Sequence, residues 1–306
     1  MKTFTIDKTD VGQRLDKFMQ RVMTEAPTSE VYKSLRKKKV RVNGKHKDGS
    51  YRLTDGDEIC MYINDEFFGS AEKSFPWQNS SADITVVYED DNILIADKPS
   101  GMFSQDADDG GDSLESRIRS YLYKKEEIDM NAVPLFIPSL CHRIDRNTAG
   151  LVIAAKNSAA LRILNEKIKN REIRKLYLCE TEGTPSPESG RIKGYLSRDK
   201  RSQKMIFSAT PTPESKPCET LYRTIKTGKY ALVEAELLSG KTHQIRASLS
   251  HIGCPIRGDV KYGATPDNKK TYQHLISYKI IFDFKTDSGI LEYLNGKEIC
   301  LKIEKL

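Results

Sequence analysis

The stretch from His142 to Ala155 reads HRIDRNTAGLVIAA and joins a charged turn to a run of apolar residues. The run Leu151–Ala155 has the length and composition of a buried strand, so the turn before it should lie at the edge of a core. If the turn is extended, Arg143 and Asp145 project to one side and Arg146 projects to the other. Cations beside an acid favour its charged form. The pattern therefore predicts that Asp145 acts as a carboxylate.

An Arg-Asp-Arg triplet also has a simpler interpretation, because such triplets commonly close a turn as a surface ion pair of little energetic value. The longer motif favours a functional interpretation. Residues 142–151, HRIDRNTAGL, resemble the signature of the pseudouridine synthases of the large-subunit ribosomal class, the RluA type. In that family the aspartate of the motif is catalytic, which implies this role for Asp145. The resemblance also implies that Arg143 fills the space left by a flipped nucleotide.

Three further segments resemble motifs of the same family in the same order: KPSGM at 98–102, KLY at 175–177, and GKTHQIR with HIGCPIRGDVKYG at 240–246 and 251–263. In the family, the tyrosine of the second segment stacks on the target base. The final arginine of the third segment pairs with the catalytic aspartate. The resemblance therefore implies a base-stacking role for Tyr177 and makes Arg246 the expected partner of Asp145.

These residues also have purely structural interpretations. A tyrosine in a strand is by default a packing residue, His243 can cap a helix or bind a core carbonyl, and Arg246 can be an exposed helical cation. The sequence departs from the family pattern at Lys241, where arginine is usual, and at residues 247–248, Ala-Ser, where Val-His is common. Neither departure touches the three expected catalytic residues, although both lie where RNA contacts are expected.

The composition is ordinary for a soluble protein, with 306 residues of which 38% are apolar and 30% are charged. This length is sufficient for two modest domains. No stretch approaches the roughly 20 apolar residues of a membrane span. The N-terminus lacks the apolar block of a secretory signal. We therefore expect a cytoplasmic protein that does not bind a membrane.

The six cysteines are scattered, without a Cys-x-x-Cys pair or a Cys/His cluster at zinc-ligand spacing. We expect reduced and mostly buried thiols. Residues 106–112 supply four carboxylates around two glycines, but they lack the ligand order of a calcium loop, so a solvated turn is expected. The chain also has no P-loop and no dinucleotide fingerprint. We therefore predict no metal and no cofactor.

The N-terminal residues 1–63 hold 14 lysine and arginine residues against 9 aspartate and glutamate residues, a net charge of +5. A basic unit of this size indicates contact with a polyanion. The unit resembles the alpha-L type RNA-binding fold of a small-subunit ribosomal protein, through GQRLD at 12–16, VRVNG at 40–44 and Gly56-Asp57. The resemblance implies phosphate contacts, which position an RNA without reading its sequence. The implied contact residues are Lys33, Arg36, Lys37, Arg41 and Lys45.

The patterns as a whole predict an α+β protein with two domains. A small α/β RNA-binding domain occupies residues 1–63, and a catalytic domain with a mixed, mainly antiparallel sheet occupies residues 83–306. Residues 64–82 are irregular and are predicted to form a linker. Trp77 lies in this linker without basic neighbours, so we expect it to be a packing anchor rather than an RNA-stacking residue.

Local patterns predict several elements that the structure can test. Asp10 has the character of an N-cap, and the apolar spacing after it predicts a helix from near residue 11. Asn43-Gly44 predicts a tight hairpin turn. Residues 84–99 predict a β-hairpin, and residues 183–219, rich in proline, serine and charge, are predicted as loops with a short hairpin.

Together these observations predict a cofactor-independent, monomeric RNA pseudouridine synthase acting on large-subunit ribosomal RNA, with transfer RNA as the alternative substrate. The sequence leaves open whether Asp145 attacks the sugar carbon, attacks the base or deprotonates the ribose. A non-catalytic RNA-binding or ribosome-assembly factor on the same fold is disfavoured by the intact set of Asp145, Tyr177 and Arg246. A metal-dependent nuclease using His142 and Asp145 is disfavoured by the arginines beside the acid.

Overall fold

The computed structural model describes residues 1–68, 75–105, 111–130, 132, 135–199, 201–266 and 272–302. The predicted turn at residues 106–112 lies outside the described residues, apart from its last two positions. Two separate sheets organise the described residues, a small one near the N-terminus and a large one in the remainder of the chain. Within the described residues, no helix has the length and apolar character that crossing a bilayer requires.

The N-terminal part combines a three-stranded sheet with two helices. Its elements are β1 (Lys2–Thr5), α1 (Leu15–Val22), α2 (Thr28–Arg36), β2 (Val40–Val42) and β3 (Glu58–Met61). Strand β3 lies between β1 and β2 and is antiparallel to both. Apolar side chains from both helices and all three strands form one hydrophobic cluster, so this part has a core of its own.

Helix α1 has the predicted apolar face but begins later than predicted. Gly12 has a φ of +77°, a left-handed conformation that a right-handed helix cannot contain. Arg14 is extended and occupies the N-cap position. Asp10, the predicted N-cap, instead forms an ion pair with Arg21. The predicted start near residue 11 is therefore wrong, and the helix starts at Leu15.

The predicted turn at Asn43-Gly44 is confirmed. The Val42 amide donates a hydrogen bond to the Lys45 carbonyl at 2.8 Å, and the Lys45 amide donates to the Val42 carbonyl at 3.0 Å. Both turn residues have positive φ values, 50° and 74°, as a type I′ turn requires. Beyond this turn, β2 pairs along its whole length with β3, which comes later in the chain.

The described residues of the larger part form an eleven-stranded sheet. Its strands are β4 (Thr85–Glu89), β5 (Ile93–Lys98), β6 (Ser139–Leu140), β7 (Ala149–Ala155), β8 (Ile173–Glu182), β9 (Ser189–Asp199), β10 (Lys204–Ser208), β11 (Lys216–Lys226), β12 (Tyr230–Leu237), β13 (Leu275–Phe282) and β14 (Glu298–Cys300). The strand order is β10-β9-β11-β12-β8-β13-β7-β5-β4, with β6 paired to β7 and β14 paired to β13. Among the described strand pairs, only β7 with β13 is parallel. The predicted mixed, mainly antiparallel α+β fold is confirmed.

Hydrophobic clusters cover both faces of this sheet. The helices are α3 (Leu114–Lys124), α4 (Ser158–Lys169) and α5 (Gln244–His251), and short 3-10 helices occupy Asp65–Phe67, Pro76–Asn79, Val260–Tyr262 and Gly289–Leu294. Helices α3 and α5 contribute to one cluster, while α4 contributes to the other. Alternate side chains of β7 enter the two clusters, as expected for a strand buried on both faces. The predicted buried strand after the charged turn is therefore confirmed.

Within residues 183–219, the predicted short hairpin is present as β9 and β10, but the prediction that loops make up the rest is wrong. This region contains β9, β10 and the start of β11, and β9 pairs along most of its length with β11. In β9, Ile192, Gly194 and Leu196 are buried while the intervening residues are more exposed. A strand with one polar face and a glycine on the other face has a weak apolar pattern. The sequence pattern was therefore not sufficient to predict the full length of β9.

Trp77 is the packing anchor that its sequence context predicts. Its side chain is buried. It stacks on Phe75 with ring centroids 5.3 Å apart and meets Tyr123 of α3 edge-on at 5.9 Å. The segment before β4 is therefore fixed against the larger part of the molecule.

Candidate active site

The charged turn that contains Asp145 lies between β6 and β7 and lines a cavity of about 650 Å³. The side chain of Asp145 is 24% exposed, so the carboxylate is partly covered and still reachable from the cavity. Ile144, next to it, is buried in the core. The turn therefore places one partly shielded carboxylate at the edge of the sheet.

Lys98, at the end of β5, holds this turn in place. Its side chain is completely buried, and its ammonium donates to the carbonyls of Pro99 at 2.9 Å, Met102 at 2.8 Å and Arg146 at 2.9 Å. Burial lowers the pKa of Lys98 to about 8, an effect that the nearby carboxylates of Asp145 and Asp97 oppose. The motifs alone do not predict this role for Lys98, although a lysine at the end of an apolar strand is a signal from which it could be inferred.

Arg246 reaches Asp145, but Asp259 is its closer partner. The Arg246 Nε and Nη2 atoms donate to the two carboxylate oxygens of Asp259 at 2.7 and 2.8 Å. Its remaining nitrogen, Nη1, lies 3.5 Å from Asp145 Oδ2. The side chain of Asp259 is 1% exposed, so the fork between the two residues is shielded from water. The predicted pair of Asp145 and Arg246 is present. The sequence did not predict that Asp259 holds Arg246 in its orientation.

His243 also faces Asp145 and is held in place by Tyr262. Its Nε2 atom lies 3.8 Å from Asp145 Oδ2, and its Nδ1 atom lies 2.9 Å from the hydroxyl of Tyr262. The Tyr262 hydroxyl accepts a hydrogen bond from the Met205 amide at 2.9 Å. Burial raises the pKa of Tyr262 to about 12, so its hydroxyl keeps its proton.

The hydrogen bonds of Tyr262 assign the tautomer of His243. The Tyr262 proton needs an acceptor, and the geometry offers it His243 Nδ1, which leaves the imidazole proton on Nε2, facing the carboxylate. Burial lowers the pKa of His243, which keeps the ring neutral. The sequence-based alternatives for His243 do not describe this arrangement, because the residue occupies the N-cap position of α5 without a side-chain capping bond.

Tyr177 lies on β8, between β12 and β13, and lines the same cavity. Its side chain is buried, and burial raises the pKa of its phenol. The structure therefore brings Asp145, Tyr177 and Arg246 to one cavity from the β6–β7 turn, a central strand and helix α5. The alternative of Arg246 as an exposed helical cation is excluded because the residue is buried.

The cations predicted to contact RNA fall into two places. Arg143 is exposed and lines the cavity, without a hydrogen bond or ion pair to the rest of the described chain. The five N-terminal cations are exposed and do not line it; Lys33 pairs with Glu30 at 2.8 Å, and Arg41 lies over the ring of Tyr62 at 5.6 Å. The predicted RNA contacts therefore belong to two separate surfaces.

Several other residues that line the cavity are basic. Arg174 is neutralised by Glu236, to which it donates at 2.7 and 2.8 Å. Lys175, two residues before Tyr177 on the same strand face, has its pKa lowered to about 8 by burial. The cavity wall also includes Lys169, Arg171 and Lys241. This excess of cations suits a polyanion.

Nothing in the described part of the chain resembles a metal centre. Those residues contain no group of three or more histidine, cysteine or acidic side chains that could hold an ion. Cys141 is free, and His142 Nε2 accepts a hydrogen bond from the Ile153 amide at 3.2 Å. Because this nitrogen already accepts a hydrogen bond from the backbone of β7, its lone pair is not available to a metal.

Comparison with known proteins identifies both parts of the chain. The family model described as RNA pseudouridylate synthase matches residues 92–251, and the S4 domain model matches residues 13–59. An uncharacterized RNA pseudouridine synthase of Mycoplasma capricolum is 31% identical over 302 residues, covering 98% of this chain and 97% of that protein. The ribosomal large subunit pseudouridine synthase C of Rickettsia bellii is 31% identical over 266 residues and covers 83% of both chains.

Two solved structures share the fold of the chain. Human RNA pseudouridylate synthase domain containing 1 superposes with a TM-score of 0.58 at 20% identity, covering 78% of this chain and 86% of that chain. Human RNA pseudouridylate synthase domain containing 4 superposes with a TM-score of 0.56, also at 20% identity, covering 72% of this chain and 89% of that chain.

Proposed function

The chain belongs to the RNA pseudouridylate synthase family, which makes it an isomerase of RNA uridines, and we propose that its substrate is large-subunit ribosomal RNA. Two named relatives support this choice. The proteins of Rickettsia bellii and Vibrio cholerae, at 31% and 32% identity, are both called ribosomal large subunit pseudouridine synthase C. The N-terminal S4 domain adds an RNA-binding surface outside the catalytic cavity.

The proposed catalytic residues are Asp145, Tyr177 and Arg246. The observation that carries the proposal is that three distant segments bring these side chains to one basic cavity. Asp145 acts as the carboxylate beside the sugar and base, Arg246 orients it, and Tyr177 stacks on the uracil. Arg143 takes the place of the flipped nucleotide, since extruding a base costs a few kcal/mol and needs compensation.

The reaction itself explains why we propose neither a metal nor a cofactor. The carbon–nitrogen bond between ribose and uracil breaks, the bound uracil turns, and a carbon–carbon bond forms to the same sugar carbon. The ring carbon that forms this bond loses a proton, and the freed ring nitrogen gains one. Atoms and electrons balance within the nucleotide, so a positioned carboxylate and donors for the turning base are sufficient.

We propose a domain division at residues 1–63 and 83–306, with a linker at residues 64–82 and a monomer as the working form. Both ends of the linker are anchored. Phe68 packs on Phe4 with ring centroids 6.2 Å apart, and Trp77 packs on α3. The Arg162 guanidinium of α4 donates to the carbonyl of Val11, which connects the two parts directly.

Mapping of pseudouridine after incubation with unmodified RNA tests the proposed substrate. Purified protein is incubated separately with transcribed large-subunit ribosomal RNA and with unmodified transfer RNA. We expect pseudouridine at discrete positions of the ribosomal RNA and none in transfer RNA. Conversion in transfer RNA alone would overturn the substrate assignment, whereas no conversion in either RNA would count against the proposed activity of this cavity.

A further inference from the structure

We propose that Phe103 and Arg146 form a stacking platform for the nucleobase next to the target uridine. This inference rests on the proposed function and adds a binding subsite to it. Phe103 lines the catalytic cavity and is 51% exposed, which is unusual for a large aromatic residue. The guanidinium of Arg146 lies over the ring, 4.7 Å from its centroid. One face of Phe103 is therefore supported while much of the side chain remains open.

The position of Phe103 sets it apart from other exposed apolar residues. Among the described residues with exposed large apolar side chains, Phe103 is the one that lines this cavity. The others are Met1, Tyr32, Tyr62, Ile206, Ile225, Val260 and Tyr293. An exposed ring at the site where the RNA strand must pass has a specific use, whereas scattered apolar residues elsewhere on a surface need none.

Four hydrogen bonds join the platform and the turn that contains Asp145 into one unit. The Gly101 amide donates to the Arg146 carbonyl at 2.9 Å, and Arg146 Nε donates to the Gly101 carbonyl at 2.9 Å. The Ser104 hydroxyl donates to the Ile144 carbonyl at 2.8 Å and accepts from the Ile144 amide at 3.2 Å. Ile144 and Arg146, the chain neighbours of Asp145, are thus hydrogen-bonded to residues within two positions of Phe103.

The chemistry of this unit favours an unpaired nucleobase as its ligand. Proteins recognise single-stranded RNA by stacking its bases on aromatic rings and on guanidinium planes, and Phe103 with Arg146 offers both. Flipping a uridine also removes the stacking partner of the adjacent base. A ring fixed relative to Asp145 restores that stacking and thereby sets the distance between the neighbouring nucleotide and the carboxylate.

Fluorescence titration of Phe103 variants tests the platform. The probes are two single-stranded RNAs of about nine nucleotides, each with one uridine and with 2-aminopurine on its 5′ or its 3′ side. The fluorescence of 2-aminopurine falls when its ring stacks. We expect the wild type and Phe103→Trp to quench one of the probes. Phe103→Ala and Phe103→Leu should bind that probe roughly tenfold more weakly and leave it unquenched.

The control and the contrary results are defined by the same titration. Ile225→Ala removes an exposed apolar side chain that does not line the cavity, so it should bind and quench like the wild type. Equal quenching by the wild type and Phe103→Ala would overturn the proposal. Quenching by Phe103→Leu would also overturn it, because an apolar contact without an aromatic face would then suffice. Binding requires no turnover, so this result is independent of whether the wild type isomerises uridine.

Discussion

At the scale of single residues, the groups around Asp145 are held by partners other than the carboxylate itself. Arg246 uses two nitrogens on Asp259 and presents the third to Asp145. His243 is held by Tyr262 and presents Nε2. Donors that are fixed before substrate binds need no reorganisation during the reaction, which is the condition for strong electrostatic stabilisation. On the proposed function, we therefore expect Asp259 and Tyr262 to act as positioning residues.

Amide replacements of His243 separate its two contacts. An asparagine amide reaches the place of Nδ1 and can meet Tyr262, while a glutamine amide reaches farther, toward the place of Nε2. We predict that His243→Gln retains most of the wild-type single-turnover rate, whereas His243→Asn loses roughly tenfold to a hundredfold. The left-handed φ of 52° at this position tolerates asparagine well, so backbone strain does not explain a loss.

The control for this prediction is His251→Asn, at the last residue of the same helix. His251 packs on Phe207 with ring centroids 4.4 Å apart and does not line the cavity. We expect His251→Asn to turn over like the wild type. Equal rates for the asparagine and glutamine variants at position 243 would show that His243 does not act on Asp145.

The sequence is sufficient to predict the roles of some of these residues but not of others. Asp145, Tyr177 and Arg246 could be predicted because each stands in a segment that resembles a family motif, and all three line one cavity. Asp259 and Tyr262 stand in a matched segment too, but their roles depend on contacts across the fold that spacing does not encode. The sequence predicts Arg143 beside Asp145 in an extended turn, whereas the structure records no ion pair between these two side chains.

At the scale of elements, the end of β5 holds the turn that contains Asp145 in place. Lys98 donates to the carbonyl of Met102 on its own segment and to the carbonyl of Arg146 on the turn that contains Asp145. Burying an ammonium in this way has an energetic cost, which appears as a pKa lowered to about 8 from an ordinary value of 10.5. The contribution of Lys98 to the free energy of unfolding therefore depends on pH.

The pH dependence of stability tests this support. Between about pH 8 and 10.5 the unfolded chain binds more protons at Lys98 than the folded chain does, so the free energy of unfolding rises with pH in this window. Below this window both states bind the proton and the folded state carries the full cost. We predict that the stability of the wild type relative to Lys98→Met increases by up to about 3 kcal/mol between about pH 7.5 and pH 10.

Urea denaturation of the two proteins at both pH values measures this difference. Lys175 also has a lowered pKa, but it is present in both proteins and so cancels from the comparison. A stability difference that stays constant with pH would contradict the account of Lys98.

Elements were predictable where the local pattern and the packing agree. The hairpin of β4 and β5 and the buried strand β7 both follow from the apolar pattern of their sequences. The long strands β9 and β11 were missed because much of each is exposed. Their stability comes from pairing with each other and with β10 and β12, which a local pattern cannot reveal.

At the scale of the whole molecule, the cations form two surfaces, one on the N-terminal part and one around the cavity. On the proposed function, we expect contacts from the first surface to position the RNA and contacts within the cavity to act on one nucleotide. Because phosphate contacts release counterions, each surface contributes separately to the salt dependence of binding. The two contributions can therefore be removed independently.

A triple variant of helix α2 and its end, Lys33→Ala/Arg36→Ala/Lys37→Ala, tests this division. We predict weaker RNA binding and a salt-dependence slope reduced by about one for each phosphate that is no longer neutralised. The single-turnover rate at saturating RNA should stay near the wild-type value, since the cavity is unchanged. A triple variant of the exposed lysines 216, 226 and 229 is the control and should change the slope less. A much lower rate at saturation would contradict separate surfaces.

The catalytic role of Asp145 is tested most directly by single-turnover conversion of uridine in transcribed large-subunit ribosomal RNA. Asp145→Asn is compared with Asp283→Asn, which changes an exposed carboxylate outside the cavity. We predict that Asp145→Asn binds the RNA like the wild type and forms no detectable pseudouridine, while Asp283→Asn converts it at the wild-type rate. Conversion by Asp145→Asn at the wild-type rate would contradict the account.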